Sequence, residues 1–128
     1  MDRIMKTILC CLLLSALLVG CAKTKEIQFC EGILPEGKGV NCGTKFEDGE
    51  LTVLITSNEP FGVKTIALQV YVVNDKKTEK VESITVDVKP DKETATANLS
   101  FYTGGRYIVR AMSRDTLIGE GRIEIAEQ

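Results

Sequence analysis

The side chains in this sequence that could do chemistry are its serines, its clustered carboxylates and its cysteines. Ser57, Ser83, Ser100 and Ser113 carry hydroxyls that could attack a carbonyl. Such a serine needs a base to take its proton. The chain contains no histidine, and none of the four sits in a G-x-S-x-G or S-x-x-K pattern. They read as strand and turn residues. Paired carboxylates could do acid–base work without histidine. Glu47, Asp48 and Glu50 cluster, but Glu47-Asp48-Gly49-Glu50 reads as a solvated turn before a strand. It lacks the D-x-D-x-D spacing of a calcium loop, which leaves a weak calcium site as the minor reading. Glu120 and Glu124 fall on the outward face of the last strand. Gly104-Gly105-Arg106 and Gly37-Lys38-Gly39 could cradle an anion on backbone N–H groups, yet neither precedes a helix, and both read as turns. The absence of histidine also removes the commonest zinc sites and the neutral-pH proton switch. The formal net charge of −2 argues against a nucleic-acid binder, which needs a basic face. The expectation is a protein that is not an enzyme, with no metal or cofactor.

The N-terminus is an address. Residues 1–6 carry Arg3 and Lys6 against Asp2, and residues 8–19 are almost wholly apolar. A weakly cationic start, a short apolar run and small residues at its end describe a secretory signal peptide. The run is too short to span a bilayer, which takes about 20 apolar residues. It closes on Leu18-Val19-Gly20-Cys21, which resembles the lipobox of bacterial lipoproteins. That resemblance implies a diacylglycerol on the Cys21 sulfur, cleavage before it, and an N-acyl chain on the new terminus. Two or three acyl chains hold a membrane firmly, because each buried methylene adds roughly 0.8 kcal/mol. Ala22 follows where an aspartate would favour inner-membrane retention, so the resemblance points to the outer membrane of the cell envelope. Cys10 and Cys11 read as apolar filler within the leader. The expected organisation is a signal peptide at 1–20, an acylated cysteine and tether at 21–26, and one domain at 27–128. Cleavage removes two basic residues and one acidic one, leaving a net side-chain charge of −3.

Acylation of Cys21 leaves Cys30 and Cys42 as a pair in an exported chain. Such a pair usually forms a disulfide. A metal or redox pair is the competing reading, but there is no histidine or further cysteine to complete a soft-metal site, and the spacing is not C-x-x-C. The segment between them, 31–41, holds three glycines and a proline and reads as a stapled loop, neither helix nor strand throughout. Ile33, Leu34 and Val40 are its candidate anchors or exposed contacts.

The rest alternates with a period of two. Residues 50–57 set Leu51, Val53 and Ile55 on one face, and residues 64–74 do the same with Ile66, Leu68, Val70 and Val72. Residues 80–89, 94–102, 105–113 and 116–126 continue the pattern. With a short strand at 26–30 they make about seven strands, separated by Gly, Pro, Asn and Asp turns. An all-β, single antiparallel sandwich is the expected fold. Gly119 and Gly121 interrupt the last strand and read as a bulge, the alternative being a place where another chain adds as a strand.

Over residues 45–126 the chain resembles bacterial immunoglobulin-like domains. Residues 50–57 would be strand B, 64–74 strand C, 94–102 E, 105–113 F and 116–126 G. The run Tyr102-Thr103-Gly104-Gly105-Arg106-Tyr107 is similar to an E–F corner, which implies that Tyr107 bonds back to the backbone as a tyrosine corner. The B–F cysteine pair and the strand-C tryptophan of true immunoglobulin domains are missing. Phe61, in the loop Glu59-Pro60-Phe61-Gly62, is either a core plug or an exposed contact. Together with loop 31–41 it forms the candidate interaction surface. The function expected is a lipid-anchored, non-enzymatic binding module with a protein or cell-wall partner. The alternative is a periplasmic carrier or chaperone-like domain for an apolar ligand or peptide.

Overall fold

Alternating apolar side chains can all be buried only if a chain is extended and covered on one face. The computed structural model describes residues 25–47 and 49–127, and these form ten strands. They are β1 (Lys25–Glu26), β2 (Gln28–Ile33), β3 (Gly39–Gly43), β4 (Lys45–Phe46), β5 (Glu50–Thr56), β6 (Thr65–Asn74), β7 (Lys77–Asp87), β8 (Thr94–Ser100), β9 (Gly105–Ser113) and β10 (Thr116–Ile125). One sheet has the order β3-β2-β5-β8. The other runs β10-β9-β6-β7, with β1 and β4 both pairing to the outer side of β10. The strands expected as B and E thus share one sheet, and those expected as C, F and G share the other. The segment expected as a signal peptide, and Cys21, lie outside the described residues. Among the described residues no helix is long and apolar enough to cross a membrane.

The core is the space between the two inner faces. β5 contributes Leu51, Val53 and Ile55, β6 contributes Ile66, Leu68 and Val70, and β9 contributes Val109 and Ala111. Fully burying one such aliphatic side chain is worth about 1.5–3 kcal/mol, and β2, β8 and β10 add Phe29, Leu99, Ile123 and Ile125 to the same core. The tyrosine corner is present: the Tyr107 hydroxyl donates to the Thr103 carbonyl oxygen at 2.7 Å. Its ring stacks tilted on Phe101, with centroids 4.6 Å apart.

The segment expected as a stapled loop is a stapled β-hairpin. β2 runs on to Ile33 and β3 begins at Gly39. The turn between them is closed by Gly37 N–H to the Leu34 carbonyl and Leu34 N–H to the Lys38 carbonyl, each at 2.8 Å. Cys30 and Cys42 sit directly opposite in the register and are joined by the expected disulfide. Glycine is required at position 39, because any side-chain carbon there would fall on both sulfurs.

Gly119 and Gly121 serve two ends. The register between β9 and β10 shifts between Leu117 and Gly119, which is the expected bulge. The edge there is already taken, since Lys25 pairs with Gly119 and Glu26 with Glu120, both in parallel. A Cβ on Gly121 would lie 2.7 Å from the Phe29 ring and 2.9 Å from the Ile27 carbonyl oxygen. The glycines let the chain pass from β1 to β2, from one sheet to the other, tight against β10. Strand addition by another chain at this place is excluded by the protein's own β1.

Candidate interaction surface

The topology defines two poles. The chain enters at Lys25, beside the start of β10, and this pole also holds the loops at 57–64, 88–93 and 114–115. β2 then runs antiparallel to β5, from Gln28 opposite Leu54 to Cys30 opposite Thr52. The β2–β3 hairpin therefore projects past the start of β5 at the far pole. β8 ends at the same pole, because Ser100 pairs with Glu50.

Ile33 and Leu34 are exposed at the tip of that hairpin, at 37% and 42%, and Val40 is half-buried. Tyr102, which the sequence reading did not single out, is 88% exposed at the same pole. No local signal in Phe101-Tyr102 says which of the two rings turns outward. The period of β8 does, because Leu99 and Phe101 point inward and Tyr102 follows on the other side. Phe61 does not join this surface. It is only 8% exposed, belongs to the core cluster at the entry pole, and its N–H donates to the Lys92 carbonyl oxygen at 2.9 Å. Of its two readings, the core plug is the one realised, since a ring flanked by a proline turn on one side and β6 on the other finds the open end of the sandwich. The candidate surface thus loses Phe61 and gains Tyr102.

The candidate chemical groups within the described part of the chain do not form a metal-holding cluster: among the described residues, no three of His, Cys, Asp and Glu are placed to hold a metal ion. Asp48 lies outside the described residues. Glu120 is used by the sheet, accepting from the Arg110 Nε at 3.2 Å. That pair is part-exposed, so it contributes at most about 1 kcal/mol. Ser57 accepts a hydrogen bond from the Glu59 N–H at 3.4 Å, as a turn serine does. Gly104-Gly105-Arg106 passes from the corner into β9, and Gly37 closes the hairpin at a φ of 90°.

The outer face of the sheet β10-β9-β6-β7 holds a second set of residues. Arg106, Ile108 and Arg110 on β9 face outward between Glu124, Arg122 and Glu120 on β10 and Val73, Tyr71 and Gln69 on β6. The Arg110 guanidinium lies 5.0 Å from the Tyr71 ring centroid, and the Tyr71 hydroxyl donates to Gln69 Oε1 at 2.9 Å. Ile108 is only 5% exposed although it stands outside the inter-sheet core. Long neighbouring stems cover it. Arg106 and Arg110 fall on one face of β9, as its period of two makes visible. Their union with Arg122 across a strand pair is not visible in that period. No protein-family model matches the sequence, and the search of curated proteins gives no match.

Proposed function

We propose that this protein is a lipid-anchored, non-enzymatic binding module of the bacterial cell envelope, held at the outer membrane by acyl chains on Cys21. One observation carries the reading: Ile33 and Leu34 beyond β2 and Tyr102 beyond β8 are all exposed at the pole opposite the point where the chain enters the sandwich. Large apolar side chains exposed at one end of a small domain support a site of association. With Cys21 four residues before Lys25, the anchor holds one pole near the bilayer and the apolar pole faces away from it. The filled space between the sheets favours a partner bound on the surface over an apolar ligand carried inside. The partner is a protein or a wall-associated component.

The test is crosslinking in cells, with partners identified by mass spectrometry and a Cys21→Ser form as the unanchored control. A recurrent partner that is lost in an Ile33→Ser, Leu34→Ser, Tyr102→Ser triple variant is the expected result. Recovery of lipid neighbours alone would refute the reading.

A further inference from the structure

The outer face of the sheet β10-β9-β6-β7 is cationic on a chain that is acidic as a whole. Lys45, Arg106, Arg110 and Arg122 stand there against Glu120 and Glu124. Arg110 and Glu120 satisfy each other. Arg106 and Arg122 are exposed, and their side chains make no ion pair among the described residues. Together with Lys45, Val73, Ile108 and Glu124 they line a cleft of about 210 Å³. Across the cleft Lys45 and Arg122 stand at one rim and Val73 at the other, with Arg106 and Ile108 on β9 between them.

Building on the binding-module reading, we propose that this cleft binds an extended acidic peptide segment. The segment carries two carboxylates at alternate positions and an apolar side chain two residues further on. The register supplies the spacing. Arg122 lies opposite Ile108, and Arg106 lies two residues before Ile108 on the same face. The two arginines are therefore diagonal neighbours, about 7–8 Å apart at the backbone. Alternate side chains of an extended peptide repeat at about 6.8 Å, so two such carboxylates meet both guanidinium forks. Arginine pairs with carboxylate through two parallel hydrogen bonds. Ile108 lies beside the first of these positions, and the apolar side chain, continuing past Arg106 towards β6, comes to Val73. Glu124 lies opposite Arg106 and disfavours any anion there, a multiply charged phosphate more than a single carboxylate, while it can accept hydrogen bonds from peptide N–H groups. That separates a peptide from a phosphate-rich ligand. The cleft is also set away from the chain's entry. Arg106 pairs with Glu124, five residues along β10 from the Gly119 that pairs with Lys25, or roughly 17 Å.

The test is fluorescence anisotropy with the full chain in nonionic detergent at low salt. The probe is a labelled Glu-Thr-Glu-Thr-Val peptide, with Thr-Glu-Glu-Thr-Val as its spacing isomer and inorganic pyrophosphate as competitor. The alternating peptide is expected to bind about tenfold more tightly than the isomer, and Arg106→Glu or Arg122→Glu to weaken it by about tenfold or more. Both arginines are exposed, so each variant keeps the wild-type unfolding midpoint, and Arg106→Lys retains part of the affinity. No binding, equal binding of the two isomers, or indifference to Arg106→Glu overturns the proposal. Displacement by pyrophosphate at equal concentration also overturns it and assigns the cleft to phosphate. If crosslinking captures a partner that ignores Arg106 and Arg122, the cleft proposal falls while the binding-module reading stands. If crosslinking captures none, the reading itself falls.

Discussion

Replacing Gly121 with alanine tests whether the β1–β2 segment really crosses against β10. The added methyl would lie 2.7 Å from a Phe29 ring carbon, 3.1 Å from another, and 2.9 Å from the Ile27 carbonyl oxygen. The ring can turn. The carbonyl cannot move without shifting the backbone between β1 and β2, and overpacking of this kind costs about 1–3 kcal/mol. Fewer unfolded conformations return about 0.4–1 kcal/mol to an alanine in compatible backbone. The net expectation is a loss of about 1–2 kcal/mol, from a domain whose whole stability is on the order of 5–15 kcal/mol. Gly32→Ala is the control, because nothing lies within 4 Å of a carbon built there. In urea, with a slope of about 1–3 kcal/mol per molar, Gly121→Ala should lower the midpoint by roughly 1 M while Gly32→Ala leaves it level or slightly raised. Phe29→Leu combined with Gly121→Ala should cost less than the two single changes together. Equal midpoints for Gly121→Ala and Gly32→Ala would refute the crossing.

Three further outcomes follow from the same packing. Reducing Cys30–Cys42, which closes a ring of thirteen residues, should cost about 3 kcal/mol, read as a midpoint shift between oxidised and reduced protein. Phe61→Ala should cost about 3–5 kcal/mol as a core cavity, whereas Leu34→Ser should change stability by less than about 0.5 kcal/mol; thermal unfolding of the two variants separates core from surface. Burial holds the Tyr107 phenol above its ordinary value, and the charge of Glu127 adds to the rise. The native state therefore keeps this proton where the unfolded chain has released it. The contribution is complete below the unfolded value of about 10 and is lost as pH climbs through the raised native one. Stability should fall more steeply above pH 10 in the wild type than in Tyr107→Phe, which itself loses about 1 kcal/mol with the bond to Thr103.

The long strands were legible because each buries one face, and a run such as Leu51, Val53, Ile55 writes that face into the sequence. The tyrosine corner was legible because its glycine turn and ring lie within a few residues of each other. The hairpin was not. Gly32, Pro35, Gly37 and Gly39 read as punctuation, yet Gly39 is glycine to make room for a disulfide, a reason that exists only after the two strands pair. β1 and β4 are two residues each, too short for any period, and they are strands only because the edge of β10 is there to receive them. The candidate surface was half legible for the same reason. Ile33 and Leu34 stand out locally. Tyr102 and the Arg106–Arg122 pair are grouped by topology, across strands that lie far apart in the chain.

The passage of β1 into β2 also decides how the molecule carries tension. From Lys25 to Ile33 the backbone runs from one pole to the other in eight residue steps, roughly 27 Å of extended chain. A pull between the entry point and the hairpin tip therefore travels along covalent bonds. β10 and β5 only steady the line from the side, and the disulfide passes the same load into β3. The rest of the sandwich could unravel without lengthening that path. A pull delivered to Arg106 or Arg122 takes another route. It must cross from β9 and β10 to β1 through sideways hydrogen bonds and the packing of Ile27 and Phe29, so that contact slips before the backbone is taut. One face of the molecule works as a rope, the other as a clutch.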